Sequence, residues 1–310
     1  MSDVAQSARA VLMIRPSGFH PNPETAADNA FQRPIEPAEA SAVARAAEEE
    51  FDRAVETIRE AGVTVHVLDD TPLPAKPDAV FPNNWFSTHH DGRVVFYPMH
   101  SPARRRERRP EVVEELRKHY RVTAVVDYSS GENENEFLEG TGSLVLDFPG
   151  RVAYASLSQR THPARIDRFC ADFDFTPVKF RSATADGRAV YHTNVIMCIG
   201  SEFALVGLDL IPDPKERDQV RASLAAGGRE VIDLSAAQIN DYAGNALELD
   251  NGHEKLLVLS ARAAASLGER QRTTLERYAR LIPLELPTIE LAGGSARCML
   301  AAIHLPSKAS

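Results

Sequence analysis

The feature that most constrains this chain is a repeat. After residue 81 its apolar segments recur in one order, strand, strand, helix, strand, and then begin again. FPNNWFS, RVVFYPM (93–99), a helix near 103–120 and RVTAVV (121–126) make one unit. GSLVLD (142–147), RVAYASL (151–157), a helix near 162–173 and TPVKF (176–180) make the next. NVIMCIG (194–200), FALVG (203–207), a helix over 213–228 and EVIDL (230–234) follow. NALELD (245–250), KLLVLS (255–260), a helix over 261–280 and LIPLEL (281–286) complete a fourth. A fifth opening strand, RCMLAAIHL (297–305), finds its continuation only at the other end of the chain, in VLMIRP (11–16), a helix over 36–62 and VTVHVL (63–68). Unit starts near Asn84, Glu139, His192, Asn245 and Cys298 lie 55, 53, 53 and 53 residues apart. A period of this size, with one unit split between the termini, predicts an α/β ring of pseudo-five-fold ββαβ units closed by the N- and C-termini, not an open stack. No Pro/Gly/Ser-rich linker interrupts the series, so residues 1–310 read as a single domain. Residues 17–35 are aperiodic and rich in Pro and Asn, which predicts a lid loop over one face.

Composition narrows the function. With 44 Asp+Glu against 35 Lys+Arg the chain carries a formal charge of −9, which speaks against a nucleic-acid partner. It has no run of 18 apolar residues to span a membrane and no signal-peptide pattern, so a cytoplasmic protein is expected. The run Arg104–Arg109 opens a helix in a net-acidic chain and reads as a solvated face. Cys170, Cys198 and Cys298 fit neither a disulfide framework nor a zinc pattern, and no metal is expected. No Gly-rich phosphate motif calls for an organic cofactor.

In such a ring the equivalent ends of all units converge on one face. Asn83, Asn84, Glu139, His192, Asn194, Asn245 and Cys298 all stand at unit starts and are expected to meet near the axis. A cysteine, a histidine and a carboxylate from different units are the inventory of thiolate catalysis. Cys170 and Cys198 read as small buried hydrophobes. Cys298 follows GGSAR, where glycines permit close backbone approach and Arg297 could help hold a thiolate. Singly, His192 would read as a structural histidine and Glu139 as an acceptor in a turn; their common phase argues that they act together.

These motifs resemble, in order and over nearly the whole chain, those of the guanidino-group-modifying enzymes of the pentein fold, a five-bladed α/β-propeller. That family includes arginine deiminase, dimethylarginine dimethylaminohydrolase and the amidinotransferases. FPNNWF stands where the family has a Phe-x-x-Asp type segment, and FLEGTGS resembles its Glu-Gly-Gly-Asp segment. SLSQRT is similar to its Ser-x-Arg-Thr segment, YHTN to its His-x-Asp segment, and GGSARCM to the Gly-rich segment carrying the nucleophile. The resemblance implies catalytic Cys298, His192 and Glu139, and a substrate site with Asn84, Asn194 and Arg160, the arginine meeting a substrate carboxylate.

Two departures point to the substrate. At the positions of Asn84 and Asn194 the family's guanidinium-binding enzymes place aspartates, a paired carboxylate clamp that suits a cationic, donor-only group. Neutral amides both donate and accept, which suits a neutral ureido group with one carbonyl and several N–H donors. Leaving a buried guanidinium uncompensated would cost several kcal/mol. The pattern resembles the citrulline-hydrolase branch, whose products are ornithine, ammonia and carbon dioxide. The expected mechanism has Cys298 attack the ureido carbon, His192 protonate the departing amine and then activate water, and Glu139 orient His192 or hold a substrate nitrogen, through a carbamoyl-thioester. Arginine deimination, hydrolysis of a methylated arginine and amidino transfer stay open, as does the non-catalytic role of a ribosome-associated factor with this fold. The expected partner is a small amino-acid substrate, with no nucleic acid and no membrane; homo-oligomer formation is left open.

Overall fold

The computed structural model describes residues 4–308. It contains five three-stranded sheets, each with one antiparallel and one parallel pairing. Four are built from consecutive strands: Phe86–Thr88, Arg93–Phe96 and Ala124–Asp127; Val145–Asp147, Val152–Ser156 and Thr176–Phe180; Met197–Ile199, Phe203–Val206 and Glu230–Asp233; Leu247–Asp250, Lys255–Ser260 and Arg280–Leu284. The fifth joins the chain ends. Ala301–Ala302 pairs antiparallel with Ala10–Arg15, placing Val11 opposite Ala302, and Ala10–Arg15 pairs parallel with Thr64–Asp69.

The connections follow from this pattern. A short turn suffices for each antiparallel pair, whereas each parallel pair needs a crossover, which the helices supply. The longest crossover, Ala40–Glu60, buries Ala47, Phe51, Ala54, Val55 and Ile58, a stripe at helical spacing that packs with Val11 and Met13 of the strand it follows. Just before it the Glu39 side chain accepts from the Glu36 N–H at 3.1 Å, and Gly62, at φ +90°, ends it. Truncating Phe51 to alanine would cost about 3–5 kcal/mol. Two predicted helices are broken. The one near 103–120 splits into Pro102–Arg105 and Glu111–His119 around Pro110, whose ring and missing N–H interrupt it. The one over 261–280 splits into Ala261–Ser266 and Glu269–Glu276 around Leu267–Gly268.

The unit starts differ from expectation in a way that shapes the site. Four of the expected opening strands begin with a single helical turn: Pro82–Asn84, Gly140–Ser143, Thr193–Ile196 and Ala296–Met299. Cys298 therefore sits in a helical turn, and the strand predicted across 297–305 shrinks to Ala301–Ala302. Below these turns the five opening strands line one shared cavity of about 50 Å³, with Ser87, Leu146, Cys198, Leu247 and Ala301 among its walls. Among the described residues no helix is long and apolar enough to cross a membrane.

Candidate active site

The helical turns bring the polar unit starts together. Asn84, Arg160, His192 and Cys298 line a second cavity, with Asp78, Phe81, Arg104 and Tyr191. Thr25 and Asn29 of the 17–35 loop close it, and the remaining space is about 20 Å³. That is room for a water molecule and little more.

Cys298 is 3% exposed. Its Sγ accepts from Asn245 Nδ2 at 3.3 Å and from Asn194 Nδ2 at 3.6 Å. Asn245 is held in turn: Nδ2 also donates to the Asn194 carbonyl (2.9 Å), and Oδ1 accepts from the Arg297 backbone N–H (3.1 Å). The Arg297 guanidinium turns away, donating to the Leu300 carbonyl (2.8 Å) and lining the cavity between the strands; amides, not the expected arginine, touch the sulfur. Gly293, at φ +80°, explains part of the Gly-Gly pair. A Cβ there would lie 2.4 Å from Asn29 Nδ2, so the loop could not close over a larger residue.

His192 and Glu139 are both fully buried, with His192 Nε2 2.8 Å from Glu139 Oε2. An ionised carboxylate only accepts, so Nε2 carries the proton and Nδ1, which has no partner, keeps a free lone pair in the neutral ring. Burial is the main influence on His192 and pulls its pKa below the ordinary value, against the pull of Glu139. Burial alone would raise Glu139, but Arg160, His192 and Arg104 together hold it well below the usual carboxylate range. Its other oxygen, Oε1, accepts from the His100 N–H at 2.9 Å. Gly142 lets this assembly close: a Cβ there would fall 2.5 Å from Asn84 Nδ2 and 2.7 Å from His192 Nδ1.

The three residues expected to meet substrate, Asn84, Asn194 and Arg160, have surroundings that the sequence did not reveal. Asn84 Oδ1 accepts from Arg104 Nη1 at 2.7 Å, and Asn84 Nδ2 donates to Asn83 Oδ1 at 2.9 Å. Arginine has only donors, so the atom facing it is the oxygen. Asn194 Oδ1 is buried with no partner. Arg160 is gripped from the loop by Asp28, Nε to Oδ2 at 2.7 Å and Nη2 to Oδ1 at 2.6 Å, and its guanidinium lies 4.7 Å from the centre of the Tyr191 ring.

All six predicted site residues thus converge. Four line the cavity; Glu139 sits behind His192, and Asn194 lies beside the Cys298 sulfur. The expectation that the Arg104–Arg109 run forms a solvated face fails at its first member. Arg104 is buried, paired with both Glu107 oxygens (3.0 and 2.9 Å) and 3.7 Å from Asp78. A basic run broken only by Glu107 carries no mark of which arginine turns inward. Asp78 and Glu107 were likewise missed, and burial pushes both carboxyls up. Asn245 was legible from its phase in the repeat. Cys170 and Cys198 are buried, their thiols pushed up to about 12, as suits inert core residues.

A family model described as N,N dimethylarginine dimethylhydrolase, eukaryotic, matches residues 15–305. No curated protein matches the sequence significantly. Among solved structures, the N-terminal domain of ArgZ, an arginine dihydrolase from the ornithine-ammonia cycle in cyanobacteria, was crystallised as a cysteine-to-serine mutant bound to substrate. It superposes with a TM-score of 0.75 at 16% identity, over 96% of this chain and 98% of that domain. Unliganded AgrE gives 0.75 at 16% identity, over 97% of this chain but 40% of AgrE, so the chain spans well under half of that protein. A dimethylarginine dimethylaminohydrolase, in its adduct with 4-chloro-2-hydroxymethylpyridine, gives 0.64 at 15% identity, over 94% and 98% of the two chains. At these identities the likeness is one of fold.

Proposed function

From the premise that the chain belongs to the N,N dimethylarginine dimethylhydrolase family, within the pentein superfamily of guanidino-modifying enzymes, we propose that it is a cysteine-dependent hydrolase of a ureido amino acid, with citrulline as substrate. The observation that carries this reading is the pair of neutral amides, Asn84 and Asn194, at the two positions where a guanidinium clamp needs carboxylates. Asn84 presents its oxygen to Arg104, so its carbonyl is already engaged by a cation. The unpartnered Asn194 Oδ1 is an acceptor suited to a ureido N–H.

In this reading Cys298 passes its thiol proton to His192 Nδ1 as Sγ attacks the ureido carbon, and the C–N bond to the side-chain nitrogen breaks as the His192 imidazolium hands that proton to the nitrogen. Ornithine leaves and a carbamoyl-thioester remains on Cys298. The Nδ1 lone pair of neutral His192 then takes a proton from water, which attacks the thioester carbon. The thiolate departs, and the carbamate falls apart to ammonia and carbon dioxide. Glu139 fixes the ring and stabilises the imidazolium that forms in each half. Arg160 receives the substrate α-carboxylate by a bidentate contact. With about 20 Å³ free, entry requires the 17–35 loop to lift. The same reading treats residues 1–310 as a single catalytic domain and the five sheets as blades of a closed propeller, supported by the terminal sheet and the shared cavity of the opening strands.

A second reading has a specific support. Asp78, Glu107 and Glu139 surround Arg104 and could compensate a guanidinium, and the structural neighbours include an arginine dihydrolase. The chain would then take arginine through two hydrolyses, the second being the ureido step above. Incubating the protein and its Cys298→Ser variant separately with citrulline, arginine and dimethylarginine, and quantifying ornithine, citrulline and ammonia, separates the readings. Ornithine from citrulline alone supports the first; ornithine from both citrulline and arginine supports the second. Citrulline accumulating without ornithine overturns the ureido assignment, and turnover in the variant overturns Cys298 as nucleophile.

A further inference from the structure

A second cluster of chemically capable side chains lies away from the Cys298 cavity and shares no lining residue with it. His66 stands on the strand Thr64–Asp69 of the split sheet; Glu115 and His119 stand one turn apart on the helix Glu111–His119. Their nearest ligand atoms all fall within 4.8 Å of one another, and among the described residues this is the one such group of three. We infer that His66, Glu115 and His119 form a binding site for a divalent transition-metal ion of the zinc class.

The geometry is close to what such an ion needs. Nitrogen and oxygen ligands about 2.0–2.1 Å from a tetrahedral zinc lie roughly 3.3 Å from each other. Glu115 Oε1 and His119 Nε2 are already 3.6 Å apart, and the His66 and His119 ring centres are 4.8 Å apart. The surroundings prepare the ligands. Lys118 Nζ holds Glu115 Oε2 at 2.6 Å and leaves Oε1 turned toward His119. The Tyr120 hydroxyl, 2.9 Å from His66 Nε2, fixes the ring in the way that supporting hydrogen bonds orient metal-bound imidazoles.

Two imidazoles and one carboxylate favour zinc, nickel, cobalt or copper over magnesium or calcium, which require oxygen ligands throughout. His119 is exposed, which leaves a fourth position to water. A bound ion would tie the strand Thr64–Asp69, formed from the chain's N-terminal portion, to the helix of the first complete unit. It would act as a staple where the split unit meets its neighbour, and it is independent of the reading of the Cys298 site.

The test uses tag-free protein in a Cys298→Ser background, which removes the thiol beside His192 as a competing ligand. After chelator treatment, Zn2+ and Mg2+ are titrated by calorimetry and the melting temperature is followed. One zinc per chain, a raised melting temperature and no response to Mg2+ are expected. His66→Ala and His119→Ala should each weaken zinc binding by about 10–100-fold or more, since loss of a supporting partner alone costs that much. Circular dichroism, and turnover measured with Cys298 restored, show that these variants fold. Zinc binding unchanged in both variants, or no zinc uptake by the parent, overturns the proposal.

Discussion

The side-chain oxygen of Asn84 accepts a 2.7 Å hydrogen bond from Arg104, a buried arginine that is itself clamped by both oxygens of Glu107. The amide is therefore held in one orientation before any substrate arrives. Its NH2 faces Asn83 and lies against Gly142, and its electronic character is set by a neighbouring cation.

That relationship makes Asn84→Asp a test of substrate charge. A carboxylate would still pair with Arg104 but would lose the N–H donors and add a negative charge. Turnover of citrulline is expected to fall by about 10²–10³, the cost of removing one well-placed donor to a developing charge. Arginine should be favoured relative to citrulline. Parallel kcat/KM measurements on both substrates check this, and an unchanged ratio would sink the charge argument.

The 17–35 loop holds Arg160 through Asp28, in the two-pronged contact assigned here to the substrate carboxylate. If Asp28 competes for that seat, Asp28→Asn weakens a contact that substrate must break. The expected outcome is a lower KM with kcat little changed; a raised KM would mean that Asp28 binds substrate directly.

Glu139→Gln keeps the shape of the carboxyl but removes the charge that fixes the His192 tautomer. A loss of about 10²–10⁴ in kcat is expected, with folding retained. A kcat within threefold or so of wild type would remove Glu139 from the mechanism, since general acid–base assistance is worth far more than that.

Buried histidines give a pH prediction for stability. Burial lowers the His89 pKa to about 3 and that of His304 well below its ordinary value. Between about pH 6 and 4.5 the unfolded chain binds protons at these sites and the folded chain does not. Stability therefore falls as pH falls, by up to about 1.4 kcal/mol per pH unit for each. Glu139, with its pKa lowered, adds its own loss only below the ordinary carboxylate range near 4.5. Denaturant titrations should show a shallower slope in the upper window for His89→Gln, whatever the variant's absolute stability.

Thiol mapping separates the three cysteines. Cys170 and Cys198, with thiols near 12, hold almost no thiolate at pH 8, whereas Cys298 lines the cavity under the loop. Limited iodoacetamide followed by peptide mapping should label Cys298 first; preferential labelling of Cys198 would contradict the assignment.

The repeat was readable because apolar periodicity is a local property of the chain. Its phase alone placed Asn84, Glu139, His192, Asn245 and Cys298 at equivalent ends of successive units, and the structure gathers them. The unit starts were misread as strands because a single helical turn of buried residues, such as Thr193–Ile196, has no period long enough to tell from the strand that follows.

Local periodicity was enough for the unit, its spacing and the residues presented at one end of it, since each follows from neighbours within about 53 residues. Tertiary structure alone decided which charges the site keeps. Asp28 meets Arg160 across 132 residues of chain, and Arg104 turns out of a surface-like run to hold Asn84. Pairing of buried charges depends on which surfaces packing closes together, and no pattern along the chain records that.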